Sequence, residues 1–134
     1  MTTAERIREF LASGPWAVVG ATTVRAKYGN KVLRCYLQNG KTPVYPVNPR
    51  AGTIEGLSAY PSLSALPETP RAVSIITPPK ITETVVEEAA RLGIHHLWMQ
   101  PGAEDERALQ LAEEHGIECI AGGPCILVAL GYRE

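Results

Sequence analysis

Apolar positions along this chain alternate between two periods. In TTAERIREFLASG, Ala4, Ile7, Phe10 and Leu11 share one helical face, Thr2 and Glu5 have capping-box spacing, and Gly14-Pro15 stops the pattern. WAVVGA, Trp16 to Ala21, is a continuous apolar run too short for a helix, as a strand buried on both faces requires. GNKVLRCYLQNG returns to helical spacing through Val32, Leu33, Tyr36 and Leu37 and stops at Asn39-Gly40. Val44 to Val47 is a second strand, which completes a βαβ unit with its helix where a parallel sheet needs one.

Prolines, glycines and serines dominate Pro49 to Pro70, and YPSLSAL predicts a short helical turn over the sheet edge. Apolar strands flank this segment on both sides, which makes it a crossover rather than a linker. RAVSIIT is the third strand, followed by a helix from about Ile81 to Leu92 whose Val85, Val86, Ala89 and Leu92 face inward. HHLWMQ is a fourth strand, GAEDERALQLAEEHG a helix with acidic first turns, and IECIA a fifth strand. The alternation predicts one α/β domain over residues 1–134, a Rossmann-like three-layer sandwich with a mostly parallel sheet of about five strands. Ligands of such folds sit outside the carboxyl ends of the strands.

Composition narrows the function. A net charge of -1 with 20% charged residues argues against wholesale nucleic-acid binding. No apolar run approaches the ~18 to 20 residues that span a bilayer, and no basic segment with an apolar stretch opens the chain. Cys35, Cys119 and Cys125 form no CxxC pair or disulfide framework, so a reducing cytoplasm and a soluble, unexported protein are expected.

Five segments follow the strands, and the predicted topology brings them to one edge. GATTVRAKYG places Gly20 for close backbone approach, hydroxyls on Thr22 and Thr23, and cations on Arg25 and Lys27, all before a helix N-terminus that favours a pyrophosphate. GxGxxG is absent, and a plain strand-to-helix loop is the competing reading. At the second strand end, NAD would want an acid for its ribose, yet the chain offers Asn48, Pro49 and Arg50. Arg50 suits a phosphate monoester, such as the 3′-phosphate of coenzyme A or the 2′-phosphate of NADP. IITPPKI, with Pro78 and Pro79, makes a stiff apolar ledge for an adenine, or simply a rigid connection into a helix.

VVGAT, KYGNKV, GKTPVYPVNP, IEGLSAYPSLSALPE, VSIITPP, GIHHLWMQPG and the Cys125 region together resemble the CoA-binding domain family. That domain stands at the N-terminus of the succinyl-CoA synthetase alpha subunit and occurs as a stand-alone bacterial protein. The resemblance implies that Gly20, Ala21, Thr22 and Thr23 take the CoA pyrophosphate, with Arg25 or Lys27 as a supporting cation. It implies that Arg50, after Asn48-Pro49, meets the nucleotide phosphates, and that Thr77, Pro78 and Pro79 wall the nucleotide. Met99 and Gln100 then mark the strand end that the pantetheine arm passes. The synthetase's phosphohistidine belongs to a second domain and the sequence ends at Glu134, so the ligase reaction is not implied.

His95, His96 and His115 lack metal spacing and are assigned structural roles; Cys35 and Cys119 are assigned to the core. Cys125 is expected in the first turn of a helix begun by Pro124, where its thiol could meet that of CoA, against the alternative of an inert cysteine. Glu55, Glu68 and Glu104 stand isolated, and no catalytic grouping is evident. The resulting expectation is a stand-alone, non-catalytic module for a small-molecule CoA ligand, CoA itself or an acyl-CoA. Two alternatives stay open: an NADP-binding redox enzyme or sensor, and a regulatory protein-interaction subunit whose protein partner is unknown.

Overall fold

The computed structural model describes residues 1–134. Helix α1, Thr3–Leu11, opens on the expected capping box, the Thr2 hydroxyl accepting from the Glu5 N–H and the Glu5 carboxylate from the Thr2 N–H. Strand β1, Trp16–Val19, helix α2, Tyr28–Gln38, and strand β2, Val44–Val47, follow. The crossover contains a small hairpin, β3 (Thr53–Ile54) and β4 (Leu57–Ser58), and a 3-10 turn at Leu63–Ala65. Then come β5, Ala72–Ile75, α3, Pro79–Arg91, and β6, His96–Met99. Helix α4, Glu106–Glu114, strand β7, Glu118–Ile120, and helix α5, Ile126–Leu130, complete the chain.

The main sheet runs β2-β1-β5-β6-β7 with every pair parallel, as the alternating pattern predicts for a Rossmann-like fold. Side chains of β1 alternate between its two faces. Trp16 and Val18 pack with Phe10 of α1, Leu33 and Tyr36 of α2 and Ile126 of α5, while Ala17 and Val19 pack with Val85 and Val86 of α3 and Leu111 of α4. Val18, Val73 and Leu97 are 0% exposed. Each such side chain contributes roughly 1.5 to 3 kcal/mol of burial free energy, which is why these runs are strands whatever their local propensity. Ser74, buried on the α2 side of β5, is satisfied by the Tyr36 hydroxyl at 2.7 Å.

Several boundaries differ from the expected ones. Strand β1 ends at Val19 instead of Ala21, because Gly20 adopts φ +100 and turns the chain out of the sheet. Helix α3 begins at Pro79 rather than Ile81, since the first helical position needs no N–H partner. Cys125 is the N-cap of α5, one residue before the first turn expected for it, and Pro124 lies outside the helix. Two long-range bonds fix that boundary: the Gln100 side chain accepts from the Ile126 N–H at 2.9 Å, and the Trp98 indole donates to the Pro124 carbonyl at 3.0 Å.

The crossover covers the free edge of β2 as expected, through Tyr60 at the start of YPSLSAL, with the 3-10 turn at Leu63–Ala65 following it. Tyr60 pairs there, accepting from the Asn48 N–H and donating to the Pro46 carbonyl. No helix is long and apolar enough to cross a membrane.

Candidate functional site

Strand β1 connects to β2 on one side of the sheet and neighbours β5 on the other, so the order of the strands reverses between β1 and β5. Gly20 leaves β1 at that point. A Cβ on it would lie 2.1 Å from the Ile76 carbonyl oxygen, and a Cβ on Gly29 would lie 2.0 Å from the Gly20 carbonyl oxygen. Glycine at both positions therefore lets the end of β1, the loop after β5 and the first turn of α2 meet backbone against backbone.

This contact aims the N-terminus of α2 into a crevice above the strand ends. Its N-cap, Lys27, makes no side-chain capping bond, and its first turn holds no acidic residue. The N–H groups of Thr22, Thr23, Tyr28 and Gly29 have no partner within the protein. These donors and the helix dipole make a cradle suited to an anion, and the carboxylates nearest it, Glu55 and Glu88, lie outside the first turn of α2. The cradle opens into a cleft of about 740 Å³ that continues past Val47, Asn48 and Pro49 and down α3 by Ile81, Val85 and Arg91. Ile81, 51% exposed, is an apolar side chain turned toward that space.

Gly20, Ala21, Thr22, Lys27, Asn48, Pro49 and Thr77 line the cleft, so seven of the residues expected at the site do meet there. Thr23 and Arg50 are exposed beside its walls, and Pro78 and Pro79 stand outside them at the start of α3. Asn48 does not turn its amide to the cleft, because Nδ2 donates to the Ala21 carbonyl and Oδ1 accepts from the Arg50 N–H, each at 2.8 Å. It ties the end of β2 to the end of β1. Met99 and Gln100 are both 0% exposed, Met99 in the core beneath α3 and α4. Thr77 binds the Thr82 hydroxyl and so fixes the first turn of α3.

Two groupings have no signal in the local pattern. Tyr28, at the head of α2, donates to Gln100 Oε1 at 3.1 Å and lies 2.8 Å from Cys125 Sγ. Burial, and then the hydrogen bond with Cys125, push its phenol well above the usual tyrosine range, so it stays a neutral donor. The second grouping holds the loop before α2. Asn30, fully buried, donates to the Thr22 carbonyl at 2.8 Å and to Glu55 at 3.2 Å, and Glu55 pairs with Arg25 at 3.6 Å. Lys27 lines the cleft without an ion pair and is the cation facing the cradle; Arg25 faces Glu55. Tyr28 and Asn30 follow the loop within KYGN, and Glu55-Gly56 is a turn pair, but neither spacing indicates that they meet.

Fold and cleft define a Rossmann-like α/β domain with an anion cradle at its switch point. Residues 15–131 match the CoA binding domain family, and the chain belongs to it, as the motif resemblance implies. Among relatives, ADP-forming acetate–CoA ligase II of Archaeoglobus fulgidus is 36% identical over 112 residues, which are 75% of this chain and 17% of the ligase. Its companion ligase I is 32% identical over 121 residues, again 17% of its length, so the chain spans about a sixth of these relatives. A conserved hypothetical protein from Pyrococcus furiosus has a similar structure with 41% identity and a TM-score of 0.79, covering 85% of this chain and 97% of that one. A hypothetical protein from Pyrococcus horikoshii OT3 has a TM-score of 0.87 at 30% identity, covering 96% and 89%.

Proposed function

We propose that this chain binds CoA or an acyl-CoA across its strand ends and catalyses no reaction by itself. The observation that carries the reading is the open cradle at the head of α2, where glycine contacts place unpartnered N–H groups beside Lys27 with no carboxylate in the first turn. The pyrophosphate sits against Thr22, Thr23, Tyr28 and Gly29. The adenosine lies between Pro49 and the Thr77 to Ile81 segment, with Ile81 and Val85 in place of the proline ledge as its apolar floor. Arg50, held next to Pro49 by its backbone, meets the 3′-phosphate. The pantetheine arm leaves past Tyr28 toward Cys125, with Gln100 acting through Tyr28. Membership of the CoA binding domain family supports this ligand over other nucleotides.

Titration calorimetry with CoA, acetyl-CoA, dephospho-CoA, NADP and NAD tests the assignment. Binding of CoA and acetyl-CoA well above NADP is the expected result. A preference for NADP would instead place the chain among redox enzymes or sensors, and no binding of any nucleotide would point to a protein-docking role.

A further inference from the structure

Glu55 is the only non-glycine residue with positive φ, at +50. With Gly56 at +80 it forms the two-residue turn between β3 and β4, at a position that Asn, Asp or Gly fills most easily. A glutamate held in this sparsely populated conformation invites a functional explanation. Its side chain is 19% exposed and reaches back to the cradle loop, where it accepts from Asn30 Nδ2 at 3.2 Å and faces Arg25 at 3.6 Å. Asn30 in turn holds the Thr22 carbonyl, and Arg34 links Asn30 Oδ1 at 2.7 Å to the Arg25 carbonyl at 2.7 Å. Every one of these contacts uses carbonyls and side chains. The loop's N–H groups at Thr22 and Thr23 stay free.

We infer that Glu55 is a positioning residue that sets how strongly the cradle takes an anion. Through Asn30 it fixes the Thr22 carbonyl and so the direction of the neighbouring N–H groups; through Arg25 it neutralises a cation that would otherwise add to the cradle's field. The two effects oppose each other. The carboxylate orders the loop for a phosphate while lowering the positive potential there, which restrains affinity and lets ligand leave. This inference rests on the phosphate placement given above.

Two substitutions separate the effects. Glu55→Gln keeps an acceptor for Asn30 and removes the charge, so CoA and inorganic pyrophosphate should each bind about threefold to tenfold tighter at low salt. That gain should vanish at about 0.5 M salt, where surface fields are screened. Glu55→Ala removes the acceptor as well, and amide hydrogen exchange at Val24 and Lys27, bonded to Thr22 Oγ1 and the Val24 carbonyl, should rise at least tenfold above wild type in the ligand-free protein, while Glu55→Gln leaves it nearly unchanged. Weaker or unaltered pyrophosphate binding by Glu55→Gln would overturn the electrostatic part, and unchanged exchange in Glu55→Ala the positioning part. If the wild type binds pyrophosphate but not CoA, the CoA reading fails and this one is still judged; if it binds neither, both fail, since the cradle then has no anion affinity for Glu55 to set.

Discussion

Gly29 stands so close to Gly20 that the Cβ of any other residue at position 29 would lie 2.0 Å from the Gly20 carbonyl oxygen. The contact seats the head of α2 on the end of β1. Gly29→Ala must push the helix away or bend the strand end, and overpacking of this kind costs about 1 to 3 kcal/mol. Gly20→Ala should cost more, since its Cβ would meet the Ile76 carbonyl at 2.1 Å and its φ of +100 is unfavourable for a side chain. Urea unfolding reads both costs, and CoA titration reads whether the displaced head of α2 still binds. A Gly29→Ala protein with wild-type midpoint and wild-type affinity would show that the close contact is not required.

Arg50 offers a cleaner separation of binding from folding, because only its backbone N–H takes part in the turn, bonded to Asn48 Oδ1. Arg50→Glu should leave the unfolding midpoint within about 0.5 kcal/mol of wild type, as surface substitutions generally do. Its CoA affinity should fall by tenfold or more, the worth of a charge-assisted hydrogen bond, with dephospho-CoA much less affected. Equal weakening of the two ligands would remove Arg50 from the 3′-phosphate.

The strands were legible in the sequence because apolar runs such as WAVV and AVSI are buried on both faces, and a short run of that kind has no stable helical reading. Gly20 was legible as a point of close backbone approach, although the apolar run was expected to continue through it to Ala21. The direction of the Asn48 amide was not, since it depends on the Ala21 carbonyl, 27 positions away and brought near only by the β1–β2 register. Met99 ends a strand buried on both faces, so no alternation marks whether it points to cleft or core. The hairpin that carries Glu55 has two residues per strand, too few for any period to register. Tyr28, Gln100 and Cys125 meet across 72 and 97 positions, a relation only the completed fold creates.

Stability should fall in alkali, and the fall should begin at two thiols, which titrate in the unfolded chain before the tyrosines that burial also raises. Burial pushes both Cys35, with a further contribution from Cys125, and Cys119 up from 9.0 to about 11. Above pH 9.0 the unfolded chain gives up these protons while the folded protein keeps them until about pH 11, so their contribution to stability is complete below pH 9.0 and lost across that window. Each thiol accounts for a loss of about 2 to 3 kcal/mol, at about 1.36 kcal/mol per unit across that window. Urea midpoints at several alkaline pH values should show a shallower decline for Cys35→Ala than for wild type. Parallel declines would mean that other groups govern the alkaline limb.

Asn48 decides whether the two strand ends act as one platform. Asn48→Ala loses both of its bonds, to the Ala21 carbonyl and from the Arg50 N–H, and should cost about 1 to 3 kcal/mol while loosening Pro49 and Arg50 together. Asn48→Asp is the more telling change. One carboxylate oxygen can still accept from Arg50, but the other faces the Ala21 carbonyl oxygen where an N–H donor stood, and the new negative charge lies beside the proposed phosphate contact. The carboxyl would hold its proton more firmly in the folded protein than in the unfolded chain, because only the protonated form donates to Ala21. Its folded pKa is thus raised above the ordinary ~3.9, and relative stability should be lost as pH rises through that range and regained below it. Thermal unfolding of Asn48→Asp and wild type between about pH 3.5 and 7 should therefore converge at the acidic end. CoA binding at neutral pH should be weakened more by Asp than by Ala, and the opposite order would show that the Asn48 bridge serves the fold without shaping the site.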